Sequence, residues 1–197
     1  MCGRMNVISD PLNQWLSHML DMPAITETNP DICPSQSMTV LHKAEKDQQC
    51  YTTESMTWGI QPAWAKRLLI NAQAETAATK TTFKNAMHTR RCVVPCSGWY
   101  EWSTISGSKQ KYLFRPSQGE GFLMAGLYFP PPANDPSQPS QFVTLTIHPN
   151  PDYARYHHRM PLLILPENLD YWMHSDVDRL APLLLPVAPG VVVAELV

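Results

Sequence analysis

The sequence lacks an apolar run long enough to span a bilayer, and its first residues lack the basic and apolar stretches of a secretory signal. Membrane insertion and export are therefore not expected, and the expected location is the cytoplasm. The chain also lacks a nucleotide-binding glycine loop, an internal repeat and a domain linker. Residues 1–197 are expected to form a single domain without a cofactor.

The five cysteines do not form a metal-ligand pattern. Cys92 and Cys96 lie four positions apart, but no second Cys pair or nearby Cys/His pair completes a zinc set. An odd number of cysteines in a chain without an export signal indicates reduced thiols. We expect Cys92 and Cys96 to be buried or partly buried thiols and expect no metal site.

The net charge is only −2, but charge is distributed unevenly. Residues 64–119 contain nine basic and two acidic side chains, a net charge of +7, which leaves −9 on the remainder. A polarised charge distribution suits a face that binds phosphates. An uneven but merely solvated surface is the other interpretation, and charge alone favours it.

The 19 prolines argue against a helix bundle, because proline interrupts helices. Helical spacing predicts a helix over residues 10–20, with Asp10 as cap and Pro11 in the first turn; a second is predicted over 75–87 and a third from Pro166. Strands are predicted at 38–41, 50–53, 55–59, 92–95, 98–102, 111–115, 122–128, 142–147, 162–165 and 191–197.

Strands without βαβ alternation indicate an α+β fold with an antiparallel sheet that is curved or barrel-like, flanked by a few helices. The Pro/Ser-rich segment at about 129–141 is predicted to be a surface loop within this single domain.

Cys2 is the strongest candidate for chemistry. Removal of Met1 would give Cys2 a free α-amine, whose pKa near about 7.7 leaves a useful fraction neutral at cellular pH. The amine can condense with an aldehyde to a Schiff base, and the adjacent thiol can then close a five-membered thiazolidine ring. An internal cysteine cannot react in this way, because its nitrogen belongs to an amide. The position alone is weak support, since a second-position cysteine is often incidental.

Nine segments, in order along most of the chain, support the assignment. They are 1–4 (MCGR), 34–36 (PSQ), 58–64 (WGIQPAW), 71–76 (NAQAET), 91–95 (RCVVP), 98–102 (GWYEW), 124–127 (MAGL), 144–146 (TLT) and 157–161 (HHRMP). Together they resemble the SOS response-associated peptidase (SRAP) family, whose members crosslink to abasic sites in single-stranded DNA. The resemblance implies the SRAP fold, a thiazolidine crosslink through Cys2, and associated lyase and autopeptidase activities.

The resemblance also implies residue roles. Asn71 would position the N-terminal amine, Glu101 would be the catalytic carboxylate, and His157 would protonate the sugar oxygen or relay protons. Considered alone, each has a structural interpretation: a turn or strand-end asparagine bonded to backbone, a strand glutamate facing solvent and a structural histidine. The aromatic neighbours of Glu101 would raise its pKa and suit it to proton transfer.

DNA contacts are expected from basic, aromatic and loop residues that flank these positions. The candidates are Gly3, Arg4, Pro34, Trp58, Trp64, Lys80, Lys84, Thr146 and Arg159. Trp58 could equally be a core residue, and Arg159 could bind a phosphate or a structural carboxylate. The expected partner is single-stranded DNA with abasic sites, bound by a monomer that associates with the nucleoid.

Two positions depart from the family pattern. Gln73 and Thr81 stand where relatives commonly have arginine, so we expect weaker DNA binding that remains sensitive to salt. Two other functions stay open at this point: a cysteine peptidase or amidase that uses Cys2 with His157 as base, and a non-covalent single-strand-binding module.

Overall fold

The computed structural model describes residues 3–23, 25–44, 50–105 and 107–197. The strands are β1 (Met5–Val7), β2 (Asn29–Ile32), β3 (Ser37–Lys43), β4 (Tyr51–Trp58), β5 (Asn71–Gln73), β6 (Arg91–Cys96), β7 (Gly98–Ile105), β8 (Ser108–Pro116), β9 (Phe122–Phe129), β10 (Gln141–Ile147), β11 (Met160–Pro161), β12 (Leu163–Ile164) and β13 (Val192–Leu196). The helices are α1 (Ser9–Leu20), α2 (Ala74–Ala77), α3 (Thr81–Thr89), α4 (Pro151–Ala154) and α5 (Leu169–His174), with 3-10 turns at Pro166–Asn168, Val177–Arg179 and Ala181–Leu183.

The strands form two sheets. The smaller sheet has the order β13-β8-β7-β1-β2, and all of its neighbours are antiparallel. The larger has the order β11-β10-β4-β3-β6-β9-β12, and β9 pairs with β10 as well, so five strands close into a ring. The barrel-like α+β fold expected from the sequence is confirmed, although β10 pairs in parallel with both β4 and β5.

The ring encloses the main core. All six residues of β6 and the first six of β9 are buried, because one face lines the ring interior while helices and loops cover the other. Gly126 lies where β9 pairs with β6 on one side and β10 on the other. A Cβ there would lie 2.9 Å from the Cys92 Sγ and 3.1 Å from the Val143 carbonyl oxygen, so this position in β9 favours glycine.

The helices predicted over residues 10–20 and 75–87 are present, and each differs from the prediction in one respect. In α1, Asp10 has an extended backbone (φ −115°, ψ 111°), so the regular turns begin after it, and its carboxylate accepts a hydrogen bond from the Gln14 amide. The helix predicted over 75–87 is divided into α2 and α3, because the Thr76 carbonyl accepts the N–H groups of both Thr79 and Lys80 and closes the first helix.

The strands differ from prediction mainly at their ends. The two strands predicted around residues 50–59 are one continuous strand, β4, while β1, β2, β5 and β11 were not predicted. The Pro/Ser-rich segment is a mostly exposed loop between β9 and β10, as expected. Within the described ranges, no helix combines the length and apolar character needed to cross a membrane.

Candidate active site

The strand β1 carries the start of the chain into the smaller sheet, between β2 and β7. Met5 lies opposite Trp99, and the N–H of Tyr100 donates to the Arg4 carbonyl at 3.0 Å. Continuing this antiparallel register by one residue sets Gly3 opposite Glu101. The predicted nucleophile, Cys2, lies outside the described residues; it is bonded to Gly3, the first residue that is described.

Glu101 points to the buried face of β7. It lies two residues from the fully buried Trp99, on the same face of the strand, and is only 4% exposed. The alternative that Glu101 is a solvent-facing strand residue is therefore wrong. Burial raises the pKa of its carboxyl group, while a hydrogen bond from the Tyr153 side chain acts in the opposite direction.

The helix α4 brings Tyr153 to Glu101. The Asn150 side chain caps this helix by accepting the backbone N–H of Tyr153 at 2.9 Å, and Pro151 occupies the first turn. The Tyr153 hydroxyl also accepts a hydrogen bond from the indole N–H of Trp99 at 3.1 Å. Trp99, which lies two residues along β7 from Glu101, thus forms a hydrogen-bonded pair with Tyr153 inside an aromatic core.

His157 follows α4 by one turn. Its backbone N–H donates to the Tyr153 carbonyl at 3.3 Å. Its Nδ1 lies 3.0 Å from both the backbone nitrogen and the carbonyl oxygen of Arg159, so the tautomer decides whether Nδ1 accepts or donates. The imidazole is half-buried and stacks on the exposed His158 ring at 4.3 Å. Burial, reinforced by the charge of His158, lowers the pKa of His157 below its ordinary value.

Asn71 begins β5, beside β10. It lies opposite Thr144 in the parallel pair, and the Thr144 hydroxyl donates a hydrogen bond to the Asn71 Oδ1. This bond fixes the orientation of a half-buried amide. The position matches the strand-end part of the structural alternative, but the Asn71 Oδ1 accepts from a side-chain hydroxyl and not from the backbone.

Arg159 has a structural carboxylate partner. Its guanidinium makes a two-pronged ion pair with Glu75, at 2.8 and 2.7 Å, and donates to the Thr146 carbonyl at 2.5 Å. Arg159 is 5% exposed and Thr146 is 1% exposed. The DNA contacts predicted for Arg159 and Thr146 do not fit this burial, because the guanidinium and the hydroxyl already bond protein groups.

The same contacts connect the two halves of the site. Arg159 bonds Thr146 through its side chain and His157 through its backbone, and the Thr146 hydroxyl donates to the Ala72 carbonyl at 3.3 Å. Ala72 directly follows Asn71. The structure therefore links His157 to the Asn71 strand on one side and, through Tyr153, to Glu101 on the other.

The two tryptophan candidates have opposite environments. Trp58 is fully buried, stacks on Phe142 and donates its indole N–H to the Ile70 carbonyl at 3.0 Å. Its predicted stacking on DNA bases does not fit, and it is a core residue. Trp64 is 68% exposed and therefore offers an open aromatic face.

The remaining DNA candidates lie at or near the surface. Lys80 and Lys84 are exposed at the start of α3, and Pro34 is half-buried in the turn before β3. Arg4 is half-buried and bonds the Asp31 carboxylate at 2.6 Å, so a phosphate would compete with Asp31 for it.

The described cysteines fall into two classes. Cys92 and Cys96 are fully buried, as predicted, and burial raises the pKa of the Cys96 thiol to about 12. Cys33 is half-buried and Cys50 is exposed. Among the described residues, no three His, Cys, Asp or Glu side chains are grouped so that they could share a metal ion.

Two residues near the site were not identified from the sequence. Glu75 lies inside the matched 71–76 segment, so the motif could have identified it as the partner of Arg159. Tyr153 lies in none of the matched segments, and only the fold shows its hydrogen bond with Trp99.

Comparisons with known proteins identify the family of this chain. The profile of the "SOS response associated peptidase (SRAP)" family matches residues 1–195. The abasic site processing protein YoqW of Bacillus subtilis is 27% identical over 201 aligned residues, which cover 94% of this chain and 87% of YoqW. The abasic site processing protein YedK of Escherichia coli is 30% identical over 140 residues, 71% of this chain and 62% of YedK.

A solved structure of a Bordetella bronchiseptica protein superposes with a TM-score of 0.83 at 21% identity, covering 100% of this chain and 99% of that one. At this level of identity the likeness concerns the fold alone. It extends over the whole chain, so both sheets belong to the shared fold.

Proposed function

The chain belongs to the SOS response associated peptidase family, and on that premise we propose that it processes abasic sites in DNA. The curated relatives that match nearly the whole chain are named abasic site processing proteins. An abasic site exposes an aldehyde when its sugar ring opens. The proposed reaction is capture of this aldehyde by Cys2, after removal of Met1, in single-stranded DNA.

The reaction proceeds in two bond-forming stages. The Cys2 amine adds to the aldehyde carbon, and loss of one water from the resulting carbinolamine leaves an imine. The Cys2 thiol then adds to the imine carbon and its proton passes to the nitrogen, which gives a thiazolidine. Elimination from the imine would instead cut the strand, and this is the lyase branch of the proposal.

Glu101 supports this chemistry as a proton acceptor and donor. Its carboxyl group is buried, has a raised pKa and lies across from Gly3, which is bonded to Cys2. A carboxyl group with a raised pKa can exchange protons near neutral pH. In the proposal, Glu101 accepts the proton released as the amine attacks and returns one as water leaves.

His157 and Asn71 have supporting roles in the proposal. A lowered pKa keeps most His157 side chains neutral. In the proposal, the protonated fraction of His157 gives a proton to the ring oxygen as the sugar opens, and the neutral imidazole that remains accepts one during imine formation. Asn71, held by Thr144, orients the amine.

DNA binding is proposed to use the exposed candidates: Arg4, Trp64, Lys80 and Lys84, with Gly3 and Pro34 beside the lesion. Lysines contact phosphates and an exposed tryptophan can stack on a base. Trp58, Thr146 and Arg159 are assigned to the supporting structure instead.

The buried Glu101 beside the start of the chain is the observation on which the proposal chiefly depends. The test is to incubate the processed protein with single-stranded DNA that carries one abasic site and to resolve the products on a denaturing gel. We expect a slower band in the wild type and none in Cys2→Ala. Cys50→Ala, which removes an exposed thiol elsewhere, is the matched control and should crosslink normally.

Intact mass should show loss of Met1 and, after reaction, the mass of the DNA adduct minus one water. A band that persists in Cys2→Ala would contradict the proposal. An unprocessed N-terminus in Glu101→Ala or His157→Ala alone would favour an autopeptidase function for the same residues.

A further inference from the structure

We infer that Glu75 is a positioning residue for His157, and that it acts through the Arg159 side chain, whose backbone hydrogen-bonds the imidazole. The inference rests on the proposed role of His157 in proton transfer. Glu75 is neither one of the candidate catalytic residues nor one of the candidate DNA contacts.

The Arg159 backbone offers a partner to His157 in every protonation state. The His157 Nδ1 lies 3.0 Å from both the nitrogen and the carbonyl oxygen of Arg159. The protonated imidazole, and the neutral tautomer that carries its proton on Nδ1, donate to the carbonyl. In the other neutral tautomer, Nδ1 accepts the N–H. The ring can therefore gain or lose a proton while Nδ1 keeps a hydrogen bond.

The Arg159 side chain holds this backbone in place. Its guanidinium donates to the two Glu75 oxygens at 2.8 and 2.7 Å and to the Thr146 carbonyl at 2.5 Å, and Arg159 is only 5% exposed. A two-pronged bond between a planar guanidinium and a carboxylate fixes direction as well as distance. The N–H and carbonyl of Arg159 consequently keep their orientation toward His157.

Glu75 is itself held on the opposite side. It belongs to α2, whose Ala74 and Ala77 are 2% and 0% exposed, and its Oε1 also accepts the His148 backbone N–H at 3.3 Å. Burial acts to raise the pKa of Glu75, but the hydrogen bonds from Arg159 and His148 outweigh it and lower the pKa below its ordinary value. The carboxylate is therefore charged at neutral pH and able to anchor Arg159.

The titratable and charged groups around His157 come from several elements. They are His158 beside it, Arg159 two residues on, Tyr153 on α4, Glu75 on α2, His148 after β10 and the proposed Cys2 amine. Burial lowers the pKa of His157, and the hydrogen bond to the Arg159 backbone raises it. If that backbone loosens, the protonated imidazole loses more than the neutral one, because hydrogen bonds to charged groups are the stronger.

Three variants separate positioning from charge. Glu75→Asp keeps the charge but withdraws the carboxylate by one methylene, Arg159→Lys keeps the charge but loses the fork, and Arg159→Gln removes the charge. Positioning lowers the pKa of His157 in all three, by about half a pH unit or more. Charge alone would leave it unchanged in the first two and raise it in Arg159→Gln, where a neighbouring cation is lost.

An NMR titration of the imidazole in the free protein measures the pKa, with the His157 signal assigned by its absence in His157→Gln. Glu54→Gln is the matched control, because it removes a carboxylate 3.5 Å from a different imidazole, that of His42. The His157 midpoint should not change in this control. Thermal melting checks folding, and Glu75→Asp, the mildest variant, decides the matter alone if the Arg159 variants do not fold.

The crosslinking rate connects the measurement to the proposed reaction. At pH values above the His157 midpoint, Glu75→Asp should crosslink an abasic sugar about threefold more slowly, because less imidazole is protonated to open the ring. A strand that carries an acyclic aldehyde has no ring oxygen to protonate, so its rate should equal that of the wild type. A merely structural defect would slow both reactions.

An unshifted His157 midpoint in folded Glu75→Asp, or an equal loss of rate on both strands, would overturn the inference. Absence of any crosslink in the wild type, together with a lowered midpoint in Glu75→Asp, would refute the proposed function and leave the positioning of His157 established.

Discussion

Glu101 is a carboxyl group that the fold keeps out of water, and this has a consequence for stability. A raised pKa means that the folded state binds the proton more tightly than the unfolded state. This contribution to stability is present below the unfolded pKa and is lost as pH rises through the folded pKa. Keeping the Glu101 carboxylate buried therefore lowers the free energy of unfolding at neutral pH relative to acidic pH.

Glu101→Gln should abolish crosslinking and yet stabilise the protein. The neutral amide avoids burial of a charge, so we expect a gain on the order of 1 kcal/mol at pH 8 that disappears near pH 4. Urea unfolding at both pH values measures it. Glu120 lies in the exposed turn between β8 and β9, so Glu120→Gln should have the same effect on the free energy of unfolding at both pH values. A loss of stability at pH 8 in Glu101→Gln would contradict the expectation.

The ion pair of Arg159 with Glu75 should matter far more than a surface pair. Arg159→Ala removes the charged partner of Glu75, which would retain the His148 N–H at 3.3 Å, and removes a donor to the Thr146 carbonyl, so we expect a loss of about 2–3 kcal/mol in the free energy of unfolding. Arg115→Ala breaks the exposed pair with Glu195 and should cost less than about 1 kcal/mol. Chemical denaturation measures the free energy of unfolding of both variants. Equal losses in Arg159→Ala and Arg115→Ala would refute the prediction.

At the residue scale, the sequence motifs identified which side chains matter, but they did not show whether each one is buried in the core or exposed to a ligand. The segment 157–161 indicated that Arg159 matters, but a guanidinium that binds a phosphate and one that binds Glu75 have the same sequence. Trp58 is similar, because only its packing on Phe142 distinguishes a core ring from a stacking surface. Burial is set by partners distant in the chain, which a short motif does not contain.

At the scale of elements, β1 is a short strand in a position where it cannot move freely. Its three residues are all buried, and it lies between β2 and β7. The Asn6 amide donates to the Pro30 carbonyl at 3.1 Å and to the Tyr100 hydroxyl at 3.2 Å, so one side chain ties β1 to both neighbours.

Asn6→Ala should loosen the strand that leads to the nucleophile. It removes both tethers and leaves the Tyr100 hydroxyl without that donor, so we expect a loss of about 1–2 kcal/mol and slower crosslinking. Hydrogen exchange of the amides of residues 4–8 should speed up. Tyr100→Phe removes only one of the two hydrogen bonds, so its exchange rates should lie between those of the wild type and of Asn6→Ala. Unchanged exchange in Asn6→Ala would contradict the tether.

Short elements explain most of what sequence reasoning missed at this scale. The long alternating or apolar strands, such as β9 and β10, were predicted within a residue or two. Strands of three or four residues, such as β1 and β5, contain too few positions to show a period of two. Yet β5 carries Asn71, so the motif identified a candidate residue whose structural element was not predicted.

At the scale of the whole molecule, the sequence indicated a curved sheet but not how it closes. The closing pair, β9 with β10, joins strands that are neighbours in sequence. The parallel pairs of β10 join strands about 70 or more residues away, and no local pattern encodes them. Such pairings depend on which apolar faces meet in the folded core.

The uneven charge distribution predicts a modest, salt-dependent affinity for DNA. Each phosphate that a lysine contacts on a single strand contributes about 0.7 to the slope of log K against log salt. The double variant Lys80→Glu and Lys84→Glu should therefore reduce the slope by roughly 1.4. Fluorescence anisotropy over a salt series measures it. Lys109→Glu, in the smaller sheet, is the single-charge control and should leave the slope unchanged.

The interior position of β1 also bears on the order of synthesis. A ribosome releases β1 first, but its partner strand β7 ends at Ile105, and Tyr153 and His157 emerge later still. About four-fifths of the chain must leave the exit tunnel before the proton-transfer groups can gather around the first residues. A nascent chain therefore carries an N-terminal amine without its proton-transfer partners. In the proposed mechanism, assistance from Glu101 and His157 is therefore available only after this late stage of synthesis.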